Sequence, residues 1–354
     1  MADARAKAVL EVLSDIYSRG RFAVDAVTPL REPLGLGDII EVPSISALTV
    51  TASGATTTAP QAITTNILSL AADRDPMINC LLPRLASTQL MNGKWAESVA
   101  RQAMIMLKNS MDESFLRTYL AQVIGWTTGT AATYHDNVAG DTLTSIDWLN
   151  AKAGLLAQDG CMEQNLVAFI SPYAEASIRS IAAFVPNYNE AEKGNLGIPM
   201  MGRVHGVPVY VTNSILRNLS VATTAVSVAT NVATATVAAG HGLVAGVPIT
   251  TTGHTVNQAT PTAITSTTAT TVVYALTTGD VSPMADGVGT IVDASSWNIM
   301  MDIAQVFTAQ QGGPMVRVVP DFQTTGDALQ LSTIWGRIAR AAYTRVLHSP
   351  GSSA

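Results

Sequence analysis

The sequence contains few charged residues and few cysteines. Of its 354 residues, 13% are charged and 47% are hydrophobic, whereas an average soluble domain is about 25% charged. Intrinsic disorder is excluded, because a disordered chain needs low hydrophobicity and high charge. The two cysteines, Cys80 and Cys161, are too few for a disulfide framework or a cysteine-rich zinc site. We expect both to be reduced, mostly buried thiols.

Basic charge and long apolar runs are also scarce. The 20 Lys and Arg residues against 26 Asp and Glu give a net charge of −6, which argues against sequence-reading nucleic-acid binding, since that requires a basic footprint. The N-terminal segment has scattered charges and no apolar core, so no signal peptide is expected. No apolar run reaches the roughly 18 residues of a transmembrane helix. We expect a protein that is intracellular when synthesised and has no membrane partner.

Motifs of catalysis and cofactor binding are missing. There is no nucleophile elbow, Walker A loop or H-E-x-x-H sequence. Residues 35–40 (GLGDII) hold two of the three dinucleotide glycines but precede a predicted strand, whereas that motif requires a helix. His135–Asp136 lacks further ligands at metal spacing, Asp73–Arg74–Asp75–Pro76 is interpreted as a solvated turn with a local ion pair, and His241 lies in a turn. We therefore assign no catalytic, cofactor-binding or metal-binding residue and no cofactor.

A long helix is the strongest pattern that is present. Residues 96–124 carry one apolar stripe at helical spacing and a neighbouring stripe that continues it. These two stripes consist of Met104, Leu107, Met111 and Phe115, and of Leu116, Tyr119, Leu120 and Val123. At about 1.5 Å per residue the helix is roughly 40 Å long. The sequence therefore predicts a strut running along its domain.

A mixed α/β region follows this helix. Thr144 to Asp147 has the spacing of a capping box and opens a second helix, a buried strand is predicted over 165–170, and Ser171–Pro172 begins a third helix, which Pro186 ends. Residues 203–213 form a further β run. The predicted buried faces of the two helices are Ile146, Leu149, Ala153 and Leu156, and Ile178, Ile181, Ala182 and Val185.

The first 72 residues predict an arm and a hairpin. Residues 1–37 begin as a weakly amphipathic helix with Val9, Leu10, Leu13, Ile16 and Tyr17 on one face, and then become extended. Residues 38–72 contain two β-branched runs around a turn-rich tip and few charges. An ordinary sheet hairpin and a long loop that lies on a neighbouring molecule both fit this pattern.

The composition changes sharply at residue 218. Residues 218–292 contain no Lys or Arg, are rich in Thr and Val, and read as short strands between glycine-containing turns. This segment predicts a small all-β module, and it has the character of an insertion because helical and mixed patterns resume at Ser295. The C-terminal segment is strand-like, with Arg337, Arg340 and Arg345 projecting at intervals. A structural ion pair is the expected role of these arginines, and DNA contact is the alternative.

The order of these elements resembles the major capsid proteins of tailed bacteriophages, the Hong Kong 97-type fold. In that family a strand ends in S-P before a helix, and a G-x-x-x-G-x-P-V strand ending in a small polar turn follows. The matching residues here are Ser171, Pro172, Gly202, Gly206, Pro208, Val209, Thr212 and Asn213. The resemblance covers most of the chain outside residues 218–293.

The resemblance implies an α+β capsid fold with a defined division of the chain. Residues 1–37 would be the N-terminal arm, 38–75 the extended loop, and 76–160 the peripheral domain, which contains the spine helix. The remaining expected parts are the axial domain (161–217 and 294–325), a surface-exposed β-rich insertion domain (218–293) and a C-terminal strand that returns to the peripheral domain (326–354).

The same resemblance implies a self-assembling shell protein of the virion, not an enzyme. Pentamers and hexamers of the chain would form the icosahedral capsid in the host cytoplasm, with a separate scaffolding protein, a portal, possible decoration proteins and non-specific contact with packaged DNA as partners. Residues 38–72 contain no Lys, so the covalent cross-link of some family members is not expected. An encapsulin-type compartment shell and a β-rich tail or adhesin protein are the alternatives.

Overall fold

The computed structural model describes two compact units of the chain. The first comprises the described residues between 28 and 107 and between 307 and 338, and the second those between 108 and 306 and between 341 and 350. The residues that the structure describes are 28–30, 35–45, 65–83, 94–124, 134–135, 143–186, 200–215, 220–239, 241, 243, 245, 248–254, 262–276, 284–286, 288–293, 295–310, 315–321, 326–338 and 341–350.

The described elements are mostly strands. The α-helices are α1 (Lys94–Ile124), α2 (Ser145–Leu156) and α3 (Glu175–Ser180). The first nine strands are β1 (Thr28–Leu30), β2 (Ile39–Ile45), β3 (Thr65–Ala71), β4 (Met77–Pro83), β5 (Tyr134–His135), β6 (Leu166–Ile170), β7 (Phe184–Pro186), β8 (Met200–Val204) and β9 (Val207–Val211). The later strands are β10 (Ser220–Ala229), β11 (Val232–Val237), β12 (Pro248–Thr252), β13 (Thr262–Thr267), β14 (Thr271–Ala275), β15 (Met284–Asp286), β16 (Gly289–Asp293), β17 (Ser295–Asp302), β18 (Phe307–Gln310), β19 (Met315–Asp321), β20 (Gly326–Ser332), β21 (Trp335–Ile338) and β22 (Thr344–Pro350).

The first unit contains three small sheets. Their strand orders are β1–β18–β21, β19–β20–β4 and β2–β3. Only β1 and β18 run parallel among these neighbours. The strand character predicted for the C-terminal segment is confirmed, and this segment contributes to both units. Strands β18 and β19 pair within the first unit, whereas β17 belongs to the second.

Helix α1 confirms the predicted strut. It spans 31 residues, and Met104, Leu107, Met111 and Phe115 are each at most 1% exposed. The apolar stripe that predicted the helix is therefore its buried face. Lys108 and Asp112, one turn apart on this helix, are also buried. The apolar pattern does not predict their burial. Among the described residues, no helix is long and apolar enough to cross a membrane.

A seven-stranded mixed sheet is the centre of the second unit. Its strand order is β5–β22–β17–β6–β9–β8–β7, with β6 parallel to β9 and β22 parallel to β5. All five residues of β6 are buried, so the predicted buried strand is confirmed. Apolar side chains of β6, β8, β9 and α2 form one core cluster beneath this sheet.

The predicted buried face of α2 is wrong. Ile146, Leu149 and Leu156 are 68%, 43% and 39% exposed, whereas the opposite face buries Trp148, Ala151 and Leu155. The helix is apolar on both faces, and periodicity alone does not show which face meets the sheet. The bulky indole of Trp148 lies on the buried face, and its Nε1 donates to the Val204 carbonyl oxygen at 3.1 Å in the core. The predicted capping box is confirmed, because Thr144 and Asp147 bond each other in both directions.

The predicted third helix is shorter than expected. Ser171 caps a 3-10 turn as predicted, with its Oγ accepting from the Tyr173 N–H, but α3 ends at Ser180. Phe184–Pro186 forms strand β7 instead, and Val185 is 63% exposed. Ile181 is already extended, with φ −67° and ψ 124°, and the next strand pairs with β8, so the helix ends before Pro186 is reached.

Two further segments differ from the prediction. Residues 203–213 are not one strand: β8 and β9 form a hairpin through His205 and Gly206, whose φ angles are both positive, +48° and +84°. Such a turn matches the natural twist of two antiparallel strands. After Ser295 the chain continues as β17 and a 3-10 turn, not as a helix. Pairing of β17 with both β22 and β6 fixes this extended conformation.

The Thr- and Val-rich segment forms a closed barrel, which confirms its all-β character. Antiparallel neighbours run β10–β11–β14–β13–β12–β16 and back to β10, and β15 adds to β10. Residues alternate between buried and exposed along β10, as expected when one face fills a barrel interior. The interior side chains include Val221, Val228, Ala235, Ile249, Tyr274 and Ile291.

The orientation of α2 can be tested by truncating each of its faces. We expect Trp148→Ala to lower the free energy of unfolding by about 3–5 kcal/mol, because it leaves a cavity and removes a buried hydrogen bond. The matched control, Leu149→Ala on the exposed face, should cost less than about 1 kcal/mol. Urea denaturation of both variants measures the difference. Equal losses would show that the helix is oriented otherwise.

Candidate assembly surface

No ligand cluster stands out among the residues that the structure describes. In that part of the chain, no group of three or more His, Cys, Asp and Glu side chains is placed to hold a metal ion. Asp73 and Arg74 form the predicted local ion pair, with 3.7 Å between Asp73 Oδ2 and Arg74 Nε, and both side chains are about half exposed. His135 lies in β5, while Asp136 is outside the described residues. His241, Arg345, Cys161 and Arg337 each contact other parts of the fold.

His241 is a structural residue of the barrel. Its Nδ1 accepts from the Leu243 N–H at 3.0 Å, so the other ring nitrogen carries the hydrogen and donates to the Thr268 carbonyl oxygen at 2.9 Å. The ring is only 5% exposed. It ties its own turn to the β13–β14 turn, which confirms that this histidine serves the fold.

Arg345 holds together the elements around the end of α2. Its guanidinium is 5% exposed and donates to the carbonyl oxygens of Gly154, Ala342 and Thr344 at 2.7, 3.0 and 2.9 Å. The prediction that this arginine projects from the strand is therefore wrong. Its structural role is confirmed, although its partners are carbonyl groups and not an acid.

The thiol of Cys161 lies beside the same cluster. Burial, followed by a hydrogen bond to Asp302 and the charge of that carboxylate, raises the pKa of Cys161 to about 12, while Arg345 acts in the opposite direction. The group is therefore a neutral thiol near pH 7 and not a nucleophile. Both cysteines are free, as predicted, but they are half-buried and not mostly buried.

Arg337 packs on an aromatic ring. Its guanidinium lies 5.2 Å from the centre of the Trp335 ring, within the range of a cation–π contact. Burial, and to a smaller degree the charge of Arg74, lower the pKa of Arg337, while Asp73 raises it. The side chain thus contributes to packing in the first unit. Arg340 is outside the described residues.

The β2–β3 hairpin is a two-stranded sheet of the first unit. Its strands pair over seven residues, from Ile39 with Ala71 to Ile45 with Thr65, and they form a sheet of their own. The predicted hairpin is confirmed, and its tip lies outside the described residues. A two-stranded hairpin is only marginally stable in water by itself, so its stability depends on what it contacts.

The base of this hairpin is fixed by close packing. Leu70 and Ala72 are fully buried against Ile334. The backbone of β21 approaches so closely that a Cβ at Gly336 would lie 2.1 Å from the Ala71 carbonyl oxygen. Only glycine fits there without a shift of one strand.

Backbone hydrogen bonds secure the entry and the exit of the hairpin. Gly37 donates to the Ala72 carbonyl oxygen at 2.9 Å, and Ala72 donates to that of Asp38 at 2.8 Å. Arg74 and Trp335 exchange two further backbone bonds of 3.2 and 3.0 Å. The GLGDII sequence is therefore the entry turn of a strand, as its position predicted.

Apolar side chains remain exposed beside this fixed base. Leu36 is 61% exposed and Ile39 is 64% exposed, although both flank the hydrogen-bonded turn. The arrangement combines an anchored base, a long two-stranded extension and an apolar outer surface. The hairpin is therefore the candidate assembly surface of the described first unit.

Comparison with known proteins places the fold. No family model matches the chain, and no curated protein matches its sequence. The capsid of Ralstonia phage GP4 is similar in structure, with a TM-score of 0.55 and 11% identity over 94% of this chain and 90% of that one. The capsid of an empty GTA particle has a TM-score of 0.50 and 8% identity over 93% and 88% of the two chains.

An encapsulin is less similar. The SrpI encapsulin complex from Synechococcus elongatus PCC 7942 has a TM-score of 0.47 and 10% identity, over 92% of this chain and 85% of that one. With its mixed sheets, its long helix and its likeness to the phage GP4 structure, the chain has the fold of a phage capsid protein.

Proposed function

We propose that this chain is the major capsid protein of a tailed bacteriophage. The observation that carries the proposal is the structural likeness to the capsid of Ralstonia phage GP4 along nine tenths of both chains. Copies of the chain would assemble in the host cytoplasm into the icosahedral shell that encloses the double-stranded DNA genome. The role is structural and not catalytic, and the mature location is the virion.

In this proposal the chain has the Hong Kong 97-type division. Residues 1–37 are the N-terminal arm, 38–75 the extended loop, and 76–160 the peripheral domain with α1 as its spine. The axial domain combines residues 161–217 with 294–325, and the pairing of β17 with β6 supports the joining of the two segments. Pairing of β20 with β4 supports the return of the C-terminal segment to the peripheral domain.

The hairpin supplies a physical reason for assembly. A subunit that builds both five- and six-fold rings must make similar contacts at different angles. The fixed base holds the direction of the hairpin within its own subunit, while the extended strands add contact area on a neighbour. Burial of Leu36 and Ile39 by that neighbour would remove their exposed apolar surface from water.

The charge of the chain fits a container for DNA. Interface cores are depleted in charged residues, and only 13% of this sequence is charged. The net charge of −6 disfavours tight binding to phosphates, which requires clustered Lys and Arg. Contact with packaged DNA would then be non-specific and weak. A separate scaffolding protein, a portal and decoration proteins are the proposed partners.

We also propose that residues 218–293 are an insertion domain on the outer surface of the shell. The barrel strands pair among themselves in the described part of the chain. At the start and end of the barrel, Ser220 pairs with Val292, and residues opposite each other on antiparallel strands have Cα atoms about 5 Å apart. The two ends of the barrel segment, which follows β9 and precedes β17 of the central sheet, are thus neighbours.

The central prediction concerns particle formation. We expect the full chain, expressed with its scaffolding protein, to form closed shells visible by electron microscopy, because many modest contacts act together in a closed assembly. Only small soluble species under every assembly condition would contradict the proposal. Shells that carry protein cargo and no genome would indicate a compartment of the encapsulin type, and glycan binding without shells would indicate an adhesin.

A second prediction distinguishes a role of the hairpin in assembly from a role in folding of the subunit. Replacing residues 48–62 by a short Gly-Ser turn should leave the free subunit folded, because the described base lies outside the deleted part. We expect shell formation to be lost, since the contact area on the neighbour is removed. Circular dichroism of the subunit and electron microscopy of the assembly reaction measure the two effects. Shells of normal yield would show that the hairpin is not an assembly contact.

The barrel gives the opposite prediction. Deleting residues 219–292 and joining the ends by a short linker should preserve the helical circular-dichroism signal and shell formation, because the ends already lie side by side. This variant removes many more residues than the hairpin variant and is its control for a general effect of deletion. Loss of solubility together with all helical signal would refute the insertion.

A further inference from the structure

The joint between the barrel and the central sheet is short and buried. Strand β16 of the barrel ends at Asp293 and β17 of the central sheet begins at Ser295, so one residue separates the two strands. The side chains on either side of the joint are inaccessible to water, since Asp293 is 0% exposed and Trp297 is 1% exposed. A barrel on a loose tether would leave both of them in water. The chain is therefore packed around this joint.

A side-chain hydrogen bond spans the joint. The Nε1–H of Trp297 donates to Oδ2 of Asp293 at 2.5 Å. In a straight strand the two Cα atoms would lie about 13 Å apart, at about 3.3 Å per residue, which is too far for an indole and a carboxylate to meet. The bond therefore forms only when the chain changes direction between β16 and β17. Its presence defines the angle between the two strands.

Each end of this bond is fixed to a different sheet. In the barrel, Asp293 is paired with Ile249 of β12. In the central sheet, Trp297 is paired with His348 of β22. Because a ladder of backbone hydrogen bonds holds each strand in place, neither side chain can shift without its sheet. The bond between them thus couples the barrel to the central sheet.

The backbone connections alone would leave the barrel free to rotate. The chain passes between the central sheet and the barrel twice, before Ser220 and after Val292, and these two residues are paired neighbours. Two neighbouring connections define a hinge axis, and rotation about that axis needs changes in only a few terminal residues. A third contact is required to stop this rotation. The bond between Asp293 and Trp297 is such a contact.

The chemistry of the bond suits this role. Its acceptor is a carboxylate, and hydrogen bonds to carboxylates are stronger than those between neutral groups. Both partners are buried, where hydrogen bonds are electrostatically stronger than in water. Rotation of the barrel would break the bond and deprive a buried carboxylate of a donor, which is unfavourable. The bond therefore favours one orientation of the barrel over all others.

We propose that the bond between Asp293 and Trp297 locks the barrel in one orientation on the central sheet, so that the two move as one body. This inference goes beyond the proposed function, which gives the barrel a place on the shell but no orientation. In the proposed shell, every subunit would hold its barrel at the same angle. The barrels would then form an ordered array on the outer surface.

Backbone dynamics of the free subunit test the lock. Trp297→Phe keeps an aromatic ring at the joint but removes the N–H donor. The matched control is Trp148→Phe, which removes a buried indole hydrogen bond of the same kind, to the Val204 carbonyl oxygen and away from the joint. NMR relaxation of the backbone amides gives the order parameters of the barrel strands in the frame of the central sheet.

We expect order parameters of about 0.85 for the barrel strands of the unmodified chain and of Trp148→Phe, and values below about 0.6 for Trp297→Phe. Both variants lose a buried indole donor, so a general loss of stability would affect them alike. A mobile barrel in the unmodified chain, a rigid barrel in Trp297→Phe, or equal mobility in the two variants would each overturn the lock.

A second pair of variants changes the acceptor and leaves the indole in place. Asp293→Ala removes the acceptor and should free the barrel as Trp297→Phe does. Asp293→Asn keeps a carbonyl oxygen that can accept from the indole, and it should keep the barrel rigid. Equal order parameters for Asp293→Ala and Asp293→Asn would contradict the lock, because only one of the two retains an acceptor.

Electron microscopy of assembled shells gives a readout that rests on the proposed function. In unmodified shells the averaged density of the barrel should be as well defined as that of the central sheet. In Trp297→Phe shells the barrel density should be lost while the shell wall remains, and a well-defined barrel there would overturn the lock. Absence of shells from the unmodified chain would refute the proposed function, whereas the relaxation measurements on free subunits decide the lock independently.

Discussion

The need to satisfy the backbone hydrogen bonds of many strands governs this structure. In the described part of the chain, the barrel solves it by closure, because β10 pairs with both β11 and β16. The central sheet ends in strands of two and three residues, β5 and β7, so its edges are short. The β2–β3 hairpin differs, since its seven-residue strands pair with each other alone. In the described first unit, β4 and β19 also have seven residues and pair only with β20, so long edge strands occur in two of its sheets.

Parts of this structure are readable in the sequence because local chemistry decides them. The stripe from Met104 to Phe115 specifies α1, the five apolar residues of β6 specify a buried strand, and Thr144 specifies the start of α2. Each depends on neighbours within a few turns. The order of the elements along the chain can also be predicted from the sequence, and the structural comparison supports the capsid-like fold that this order indicated.

Other features depend on contacts between distant residues, and the sequence does not contain them in local form. The burial of Trp148 selects one of two apolar faces of α2 through the carbonyl of Val204. Arg345 is internal because three carbonyl groups meet at its position. No sequence pattern indicated that Gly336 is needed for close packing, although a side chain there would displace Ala71. The exposed face of α2 is similarly visible only after the core is known, because exposure distinguishes Ile146 from an ordinary core residue.

The pairing of Ser220 with Val292 has a consequence for how such a chain changes over generations. A segment that departs and returns at one point imposes no displacement on the elements that flank it. Its length, its sequence and even its presence are then free to vary while β9 and β17 keep their places in the central sheet. In the proposed shell, selection on the barrel would thereby be separate from selection on the central sheet.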